Sequence, residues 1–389
     1  VTGKGFDVMT TATAPWTSTG ELPVAGSWYG QYDGAVLLTT TTKKVLLVGG
    51  ADGRSAALDQ AVRYDTAEKK WSPAGKLQTA RRLHTATVLK DGNVLVAGGI
   101  GGPSPASPAL ATAEVYNPAT NAWETVGSMN EGRYGHCAVL VGDQVLVAGG
   151  TAKRSDDTVK ALTSVETYDP AAKKWTTVKP MTDARTGHTA VAFKDGRVLV
   201  CGGTVPIARG ADAALAFCEL YNPTSKAWTT TANLPEPRAR HQALALSDTT
   251  ALVIGGSAPG APGDGRFDPF TSLTAELYNL NNGTWTTLST RPGGRGFHRA
   301  VALGSGKVLV IGGTGEVRDD VGYQSVLVFD SAAKTWTPVG GLAVGRWAFA
   351  ATALDGGKVL VAGGTTGSGL AAADPDVDDL TRSTEVYTP

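Results

Sequence analysis

The chain carries five histidines, and all five stand in one recurring pattern. It reads Arg81-x-x-His84, Arg133-x-x-His136, Arg185-x-x-His188, Arg238-x-x-His241 and Arg295-x-x-His298. Imidazole is the usual acid or base near neutral pH and the commonest metal ligand. If the copies are set side by side around an axis, two or three rings from neighbours can converge on Cu, Fe or Zn. In that reading His84, His136, His188, His241 and His298 are the catalytic and metal-binding candidates. Arg81, Arg133, Arg185, Arg238 and Arg295 then supply cationic contacts to a ligand. The competing reading is structural. Each His would bond a backbone carbonyl between repeats, and each Arg would pair with a glutamate such as Glu114, Glu166, Glu219, Glu276 or Glu385.

Two copies depart from the pattern. One reads Arg346-Trp347-Ala348-Phe349, with Phe where His is expected. The other reads Gly26-Ser27-Trp28-Tyr29, followed by Tyr32, with neither Arg nor His. Together they offer Trp28, Tyr29, Tyr32, Trp347 and Phe349 as an aromatic wall facing the polar arc. A concave site with aromatic walls and a few polar groups suits a small organic ligand. The plain alternative is drift of the repeat where a ring of repeats closes.

The elements that must position these residues are repeats. A short apolar run ends in Gly-Gly at 49–50, 98–99, 149–150, 202–203, 255–256, 312–313 and 363–364, seven copies spaced by 49 to 57 residues. A period near 50 means one supersecondary unit per repeat. Each unit reads as four strands: an alternating segment, a Gly- or Asp-rich turn, the apolar run, a strand with Tyr64, Tyr116, Tyr168, Tyr221, Tyr278, Phe329 or Tyr387, and an outer strand with Trp. Seven of nine tryptophans, Trp16, Trp71, Trp123, Trp175, Trp228, Trp285 and Trp336, hold that last position, which points to packing between units. No Trp follows Tyr387. The missing outer strand lies near Trp16, so the N-terminal segment is expected to complete the last unit and remove an open edge.

The set Arg-x-x-His, Gly-Gly after an apolar strand, Glu-x-Tyr and a Trp shortly after resembles the kelch repeat over about residues 14–389. The resemblance, to bacterial kelch proteins and distantly to the propeller of galactose oxidase, implies an all-β, seven-bladed β-propeller. It would be a single domain over 1–389, with 1–13 as an N-terminal extension. It does not imply one function, because kelch propellers include both partner-binding scaffolds and enzymes. Galactose oxidase ligates copper through a His at this strand position, preceded by a Tyr. Here the preceding residues are Leu83, Gly135, Gly187, Arg240 and Phe297. A copper-radical oxidase is therefore not supported.

In a four-stranded antiparallel blade, the Arg-x-x-His segments and the loops after Gly-Gly share a face. Those loops are long: 100–112, 151–164, 204–217, 257–274, 314–325 and 365–383. Long loops on a rigid scaffold are where binding usually resides. The expected function is small-molecule binding or catalysis at the axial mouth, with metal as an option. The alternative is a protein- or peptide-interaction propeller that uses the same face.

Lys+Arg and Asp+Glu balance at 35 each, with no electrostatic footprint for nucleic acid, and no apolar run reaches membrane-span length. Acidic stretches at 156–157, 319–320 and 374–379 read as solvated loops rather than Ca²⁺ sites. Of the three cysteines, Cys201 and Cys218 can face each other across a ladder, as a disulfide or as two buried thiols, and thiols are the expectation. A monomer is expected. The start at Val1 favours a processed, secreted or periplasmic protein.

Overall fold

The computed structural model describes residues 15–30, 34–39, 43–153, 159–208, 211–258, 274–288, 294–315 and 320–389. Seven four-stranded antiparallel sheets follow one another around an axis. Blade 1 comprises Ala35–Leu38, Lys44–Val48, Gln60–Asp65 and Lys70–Lys76. Blade 2, typical of the rest, comprises Thr85–Val88, Val94–Ala97, Ala113–Asn117 and Ala122–Val126. Blade 7 takes Ala350–Ala353, Val359–Ala362 and Ser383–Tyr387 from the C-terminal end and its outer strand, Trp16–Glu21, from the N-terminal end.

The second strand of each blade is buried on both faces, as its uninterrupted apolar run requires. Val94, Leu95, Val96 and Ala97 are all at most 1% exposed. The Tyr and Trp positions pair directly across the ladder, as Tyr116 with Trp123 and Tyr168 with Trp175. Their ring centroids lie about 5 Å apart. The indole then reaches the preceding blade: Trp123 Nε1 donates to Ala74 O at 2.7 Å, and Trp175 Nε1 to Gly127 O at 2.6 Å. Trp16 does the same from the N-terminal strand to Gly340 O. No helix among the described residues is long and apolar enough to cross a membrane.

The Arg-x-x-His segment does not extend the first strand. It runs as a separate lead-in whose second residue bridges the residue after its own blade's Gly-Gly, as Arg82 with Ile100, Tyr134 with Thr151 and Trp347 with Thr365. The lead-ins and the long loops therefore share one face. Three of those loops are not irregular. They fold as two-stranded ribbons, Thr151–Lys153 with Val159–Ala161, Thr204–Ala208 with Ala211–Ala214, and Thr365–Gly367 with Asp379–Leu380.

Candidate functional site

The lead-in arginines turn away from the axis. Arg133 donates through Nη1 to Gly149 O at 2.8 Å and to Ser164 O, and through Nη2 to Ser164 Oγ and to Glu166 Oε1 at 2.8 Å. Glu166 also accepts the backbone N–H of Asn130. The same set recurs as Arg81 with Glu114, Arg185 with Glu219, Arg238 with Glu276 and Arg346 with Glu385. In blade 6 Leu327 replaces the glutamate, and Arg295 keeps Gly312 O, Ser325 and a cation–π contact to Tyr323. All six arginines are at most 2% exposed. Each therefore binds the second and third strands of its own blade and lies out of reach of a ligand at the mouth.

The histidines are equally buried, at 0–1% exposure. The rings of His84, His136, His188 and His241 each place Cε1 against the first Gly of the preceding blade's Gly-Gly. A Cβ built on Gly149 would fall 2.7 Å from His188 Cε1, and one on Gly98 would fall 2.7 Å from His136 Cε1. The pair is Gly because it must leave room for the ring and also hold positive φ, +62° at Gly149 and +95° at Gly150. From the same edge of the ring, His136 Nε2 shares a 3.0 Å hydrogen bond with Thr85 Oγ1, and His241 Nε2 a 2.7 Å bond with Thr189 Oγ1, again in the preceding blade. Burial, reinforced by the Arg81 charge, pushes the His84 pKa down to about 3. Burial and the Arg133 and Arg185 charges likewise hold His136 and His188 well below the usual imidazole range.

Tyr29 and Phe349 occupy the histidine slot in blades 1 and 7. They are 1% and 0% exposed, so they do not wall the mouth. Trp347 is 1% exposed and lies edge-on beside Trp28. Tyr32 lies outside the described residues.

The mouth is built by the residue just before the histidine slot. These seven residues all hold positive φ: Trp28, Leu83, Gly135, Gly187, Arg240, Phe297 and Ala348. Their backbones link blade to blade, Leu83 N to Trp28 O, Trp28 N to Ala348 O, Ala348 N to Phe297 O, Arg240 N to Gly187 O and Gly187 N to Gly135 O. Trp28 and Phe297 meet edge to face at 4.9 Å, and the Arg240 guanidinium sits 5.3 Å from the Phe297 ring. Sequence reasoning missed Phe297 and Arg240. Their fixed offset from the histidine was the available signal. Below the collar, a cavity of about 160 Å³ is lined by small and polar groups of the first strands, among them Thr85, Cys137, Thr189 and Gln242.

The expected convergence of imidazoles does not occur. Among the described residues no group of three or more His, Cys, Asp or Glu side chains is placed to hold a metal ion. One imidazole sits at each of five blade boundaries, directed at packing partners.

A family model described as the KLHDC2/KLHL20/DRC7 Kelch-repeats domain matches residues 5–203 and 135–364. The chain belongs to the kelch-repeat family. It is 27% identical over 257 residues to alpha-scruin of Limulus polyphemus, covering 64% of this chain and 26% of that one. It is 26% identical over 292 residues to human (Homo sapiens) Kelch-like protein 34, covering 72% and 42%. The chain thus spans less than half the length of these curated relatives. Among solved structures, a fungal alcohol oxidase of the AA5 family in complex with copper superposes with a TM-score of 0.72 at 19% identity, covering 96% of this chain and 76% of the oxidase. YjhT superposes at 0.58 and 16%, covering 78% and 93%. At such identities the likeness is one of fold.

Proposed function

We propose that this kelch propeller is a binding platform whose long-loop face engages a protein partner. The observation that carries the reading is the distribution of exposed apolar side chains. Among the described residues the large ones are Val24, Val159, Phe217, Val321 and Leu370, and all five stand on that face. Val321 and Leu370 are 55% and 82% exposed. Val321 also borders an open groove of about 570 Å³ shared with Tyr323, Gln324, Val344 and Thr366. Val321 bridges Gly367 of the segment that carries Leu370, so these two bring exposed apolar side chains together beside the groove, and contiguous apolar surface of that kind marks an interaction site. The opposite face carries short polar turns such as 90–93 and 142–143.

The test is affinity capture from an extract of the source organism with three immobilised proteins: wild type, Val321→Asp/Leu370→Asp, and Asp143→Lys on the opposite face. A partner held by wild type and by Asp143→Lys, but lost from the double variant, is expected. Equal capture by all three, or none above blank resin, refutes the reading.

A second reading, a small ligand at the axial mouth, is supported by the partly buried Trp28 and Phe297 beside Arg240. In it Trp28, Phe297 and Arg240 make contact, the buried Trp347 backs Trp28 from behind, and the Arg/His set serves by holding the blades. Quenching of tryptophan fluorescence by an aromatic carboxylate, abolished in Trp28→Ala, is the result it requires.

A further inference from the structure

In blade 4 the last residue of the second strand, Cys201, stands directly opposite the first residue of the third, Cys218. The same pair of positions is Val48–Ala61, Ala97–Ala113, Ala148–Val165, Ile254–Ala275, Ile311–Val326 and Ala362–Thr384 in the other blades. The chain has only three cysteines, and two of them replace both members of one cross-strand pair. Packing does not require this, because aliphatic pairs fill the position in five of the six other blades and Ala362–Thr384 in the sixth.

The geometry suits a bond. The next pair along the ladder, Gly202 and Phe217, carries the hydrogen bond from Gly202 N to Phe217 O at 3.2 Å. Hydrogen-bonded and non-bonded pairs alternate, so Cys201 and Cys218 form a non-hydrogen-bonded pair, with Cα atoms about 4.5 Å apart. Disulfides span Cα separations of about 4.4–6.8 Å. Both side chains enter one core cluster, and in the structure both are free thiols.

A base is at hand as well. His241 Nε2 is 3.8 Å from Cys201 Sγ, and Thr189 Oγ1 is 3.3 Å from that sulfur and 2.7 Å from His241 Nε2. A hydrogen bond from Cys218, then those from His241 and Thr189, hold the Cys201 thiol well below its usual range, while burial pushes Cys218 up. With His241 and Thr189 both beside its sulfur, Cys201 is the thiol placed to give up its proton.

We propose that Cys201 and Cys218 form an oxidisable dithiol site that a small-molecule disulfide converts, reversibly, into a cross-strand bond. Both cysteines are buried, at 0% and 1% exposure, so the reagent meets them when the blade edge opens or while the chain folds; the Cys201 thiolate then attacks one sulfur of the reagent and expels the other as thiolate. Cys218, on losing its proton, attacks Cys201 Sγ and expels the second reagent thiolate. In balance, two protein thiols and one disulfide reagent give one protein disulfide and two reagent thiols. The bond closes the base of the ribbon Thr204–Ala208/Ala211–Ala214, which stands on the long-loop face between the two cysteines. Oxidation therefore staples one loop of that face to the blade. This inference does not depend on the partner reading.

The test equilibrates the full chain in glutathione buffers of graded ratio, both folded and during refolding from denaturant. Acid quench, alkylation under denaturing conditions and mass measurement follow. In oxidising buffer the expected product is 2 Da lighter, alkylates at one cysteine instead of three, and yields tryptic peptides 198–209 and 210–226 joined. Its melting temperature rises by roughly 2–5 °C, a rise absent from Cys201→Ala/Cys218→Ala, which carries the Ala–Ala pair of blade 2. Three alkylated thiols in both arms, or glutathione attached without a Cys201–Cys218 link, overturns the proposal.

Discussion

The carbonyl of Arg185 accepts the N–H of Gly150 at 2.8 Å, while the same residue's guanidinium donates to Gly202 O at 3.1 Å. One arginine thus ties blade 3 to blade 4 through its backbone and braces blade 4 through its side chain. Arg81, Arg133, Arg238 and Arg346 repeat the arrangement with Gly50, Gly99, Gly203 and Gly313. What reads in sequence as a polar arc is in space a set of brackets between blades.

Removing one side of a bracket is expected to be severe. Arg133→Ala leaves Glu166 as a buried, unpaired carboxylate, which costs about 3–5 kcal/mol. Arg133→Met with Glu166→Leu removes both charges and is expected to recover most of that loss. Urea unfolding of the three proteins measures the difference. A double variant as unstable as the single one refutes the pairing argument.

The Gly-Gly notch makes a sharper contrast. Gly150→Ala forces a Cβ to 2.7 Å from Tyr134 O at φ +95°, and is expected to cost several kcal/mol, more than the about 1–2 kcal/mol of left-handed strain alone. Gly142 also has positive φ, +60°, but nothing lies within 4 Å of its added Cβ. Gly142→Ala is expected to show only the strain. Equal melting temperatures for the two variants would contradict the notch.

The buried histidines set a pH dependence. In the folded chain His84 titrates near 3, below the about 6.5 of an unfolded imidazole. Between those values the unfolded chain binds the proton and the folded chain does not, so stability is full above about pH 6.5 and falls as pH drops. The slope is about 1.4 kcal/mol per pH unit for each such histidine. His84→Phe, the residue blade 7 uses at this position, is expected to fold and to flatten part of the slope. Unfolding free energies at pH 5, 6 and 7.5 decide it, and an unchanged slope counts against the assignment.

Closure depends on the N-terminal strand. Trp16 packs on Tyr387, and Thr384 Oγ1 donates to Thr19 O and Gly20 O. A chain starting at residue 22 uncovers Ser383–Tyr387 as an open edge. It is expected to melt lower and to associate, as seen by light scattering after gel filtration. A monomer with unchanged melting would show the strand to be dispensable.

The repeat was readable because its markers are enforced by packing. Trp123 and Tyr116 sit where only a large ring spans two blades, and the absent Trp after Tyr387 revealed the closure. The direction of the histidines was not readable in the same way. A polar residue at the start of an inner strand can face the channel or the neighbouring blade, and the choice rests on the notch opposite it. One clue was present in Tyr29 and Phe349. A position that accepts His, Tyr and Phe is a slot for a flat ring, which is a packing criterion rather than a chemical one. The loop ribbons had no comparable marker, since 151–161 and 204–214 lack a strong turn pair and alternate poorly.

The collar around the axis has a further consequence. Its φ is left-handed at all seven positions, yet it carries residues as unlike as Gly135, Arg240 and Trp28. The scaffold fixes the path of the chain there and leaves the side chain unspecified. The rim thus combines one repeated left-handed turn with seven different side chains, so the chemistry presented at the mouth is set by residues separate from the brackets behind it.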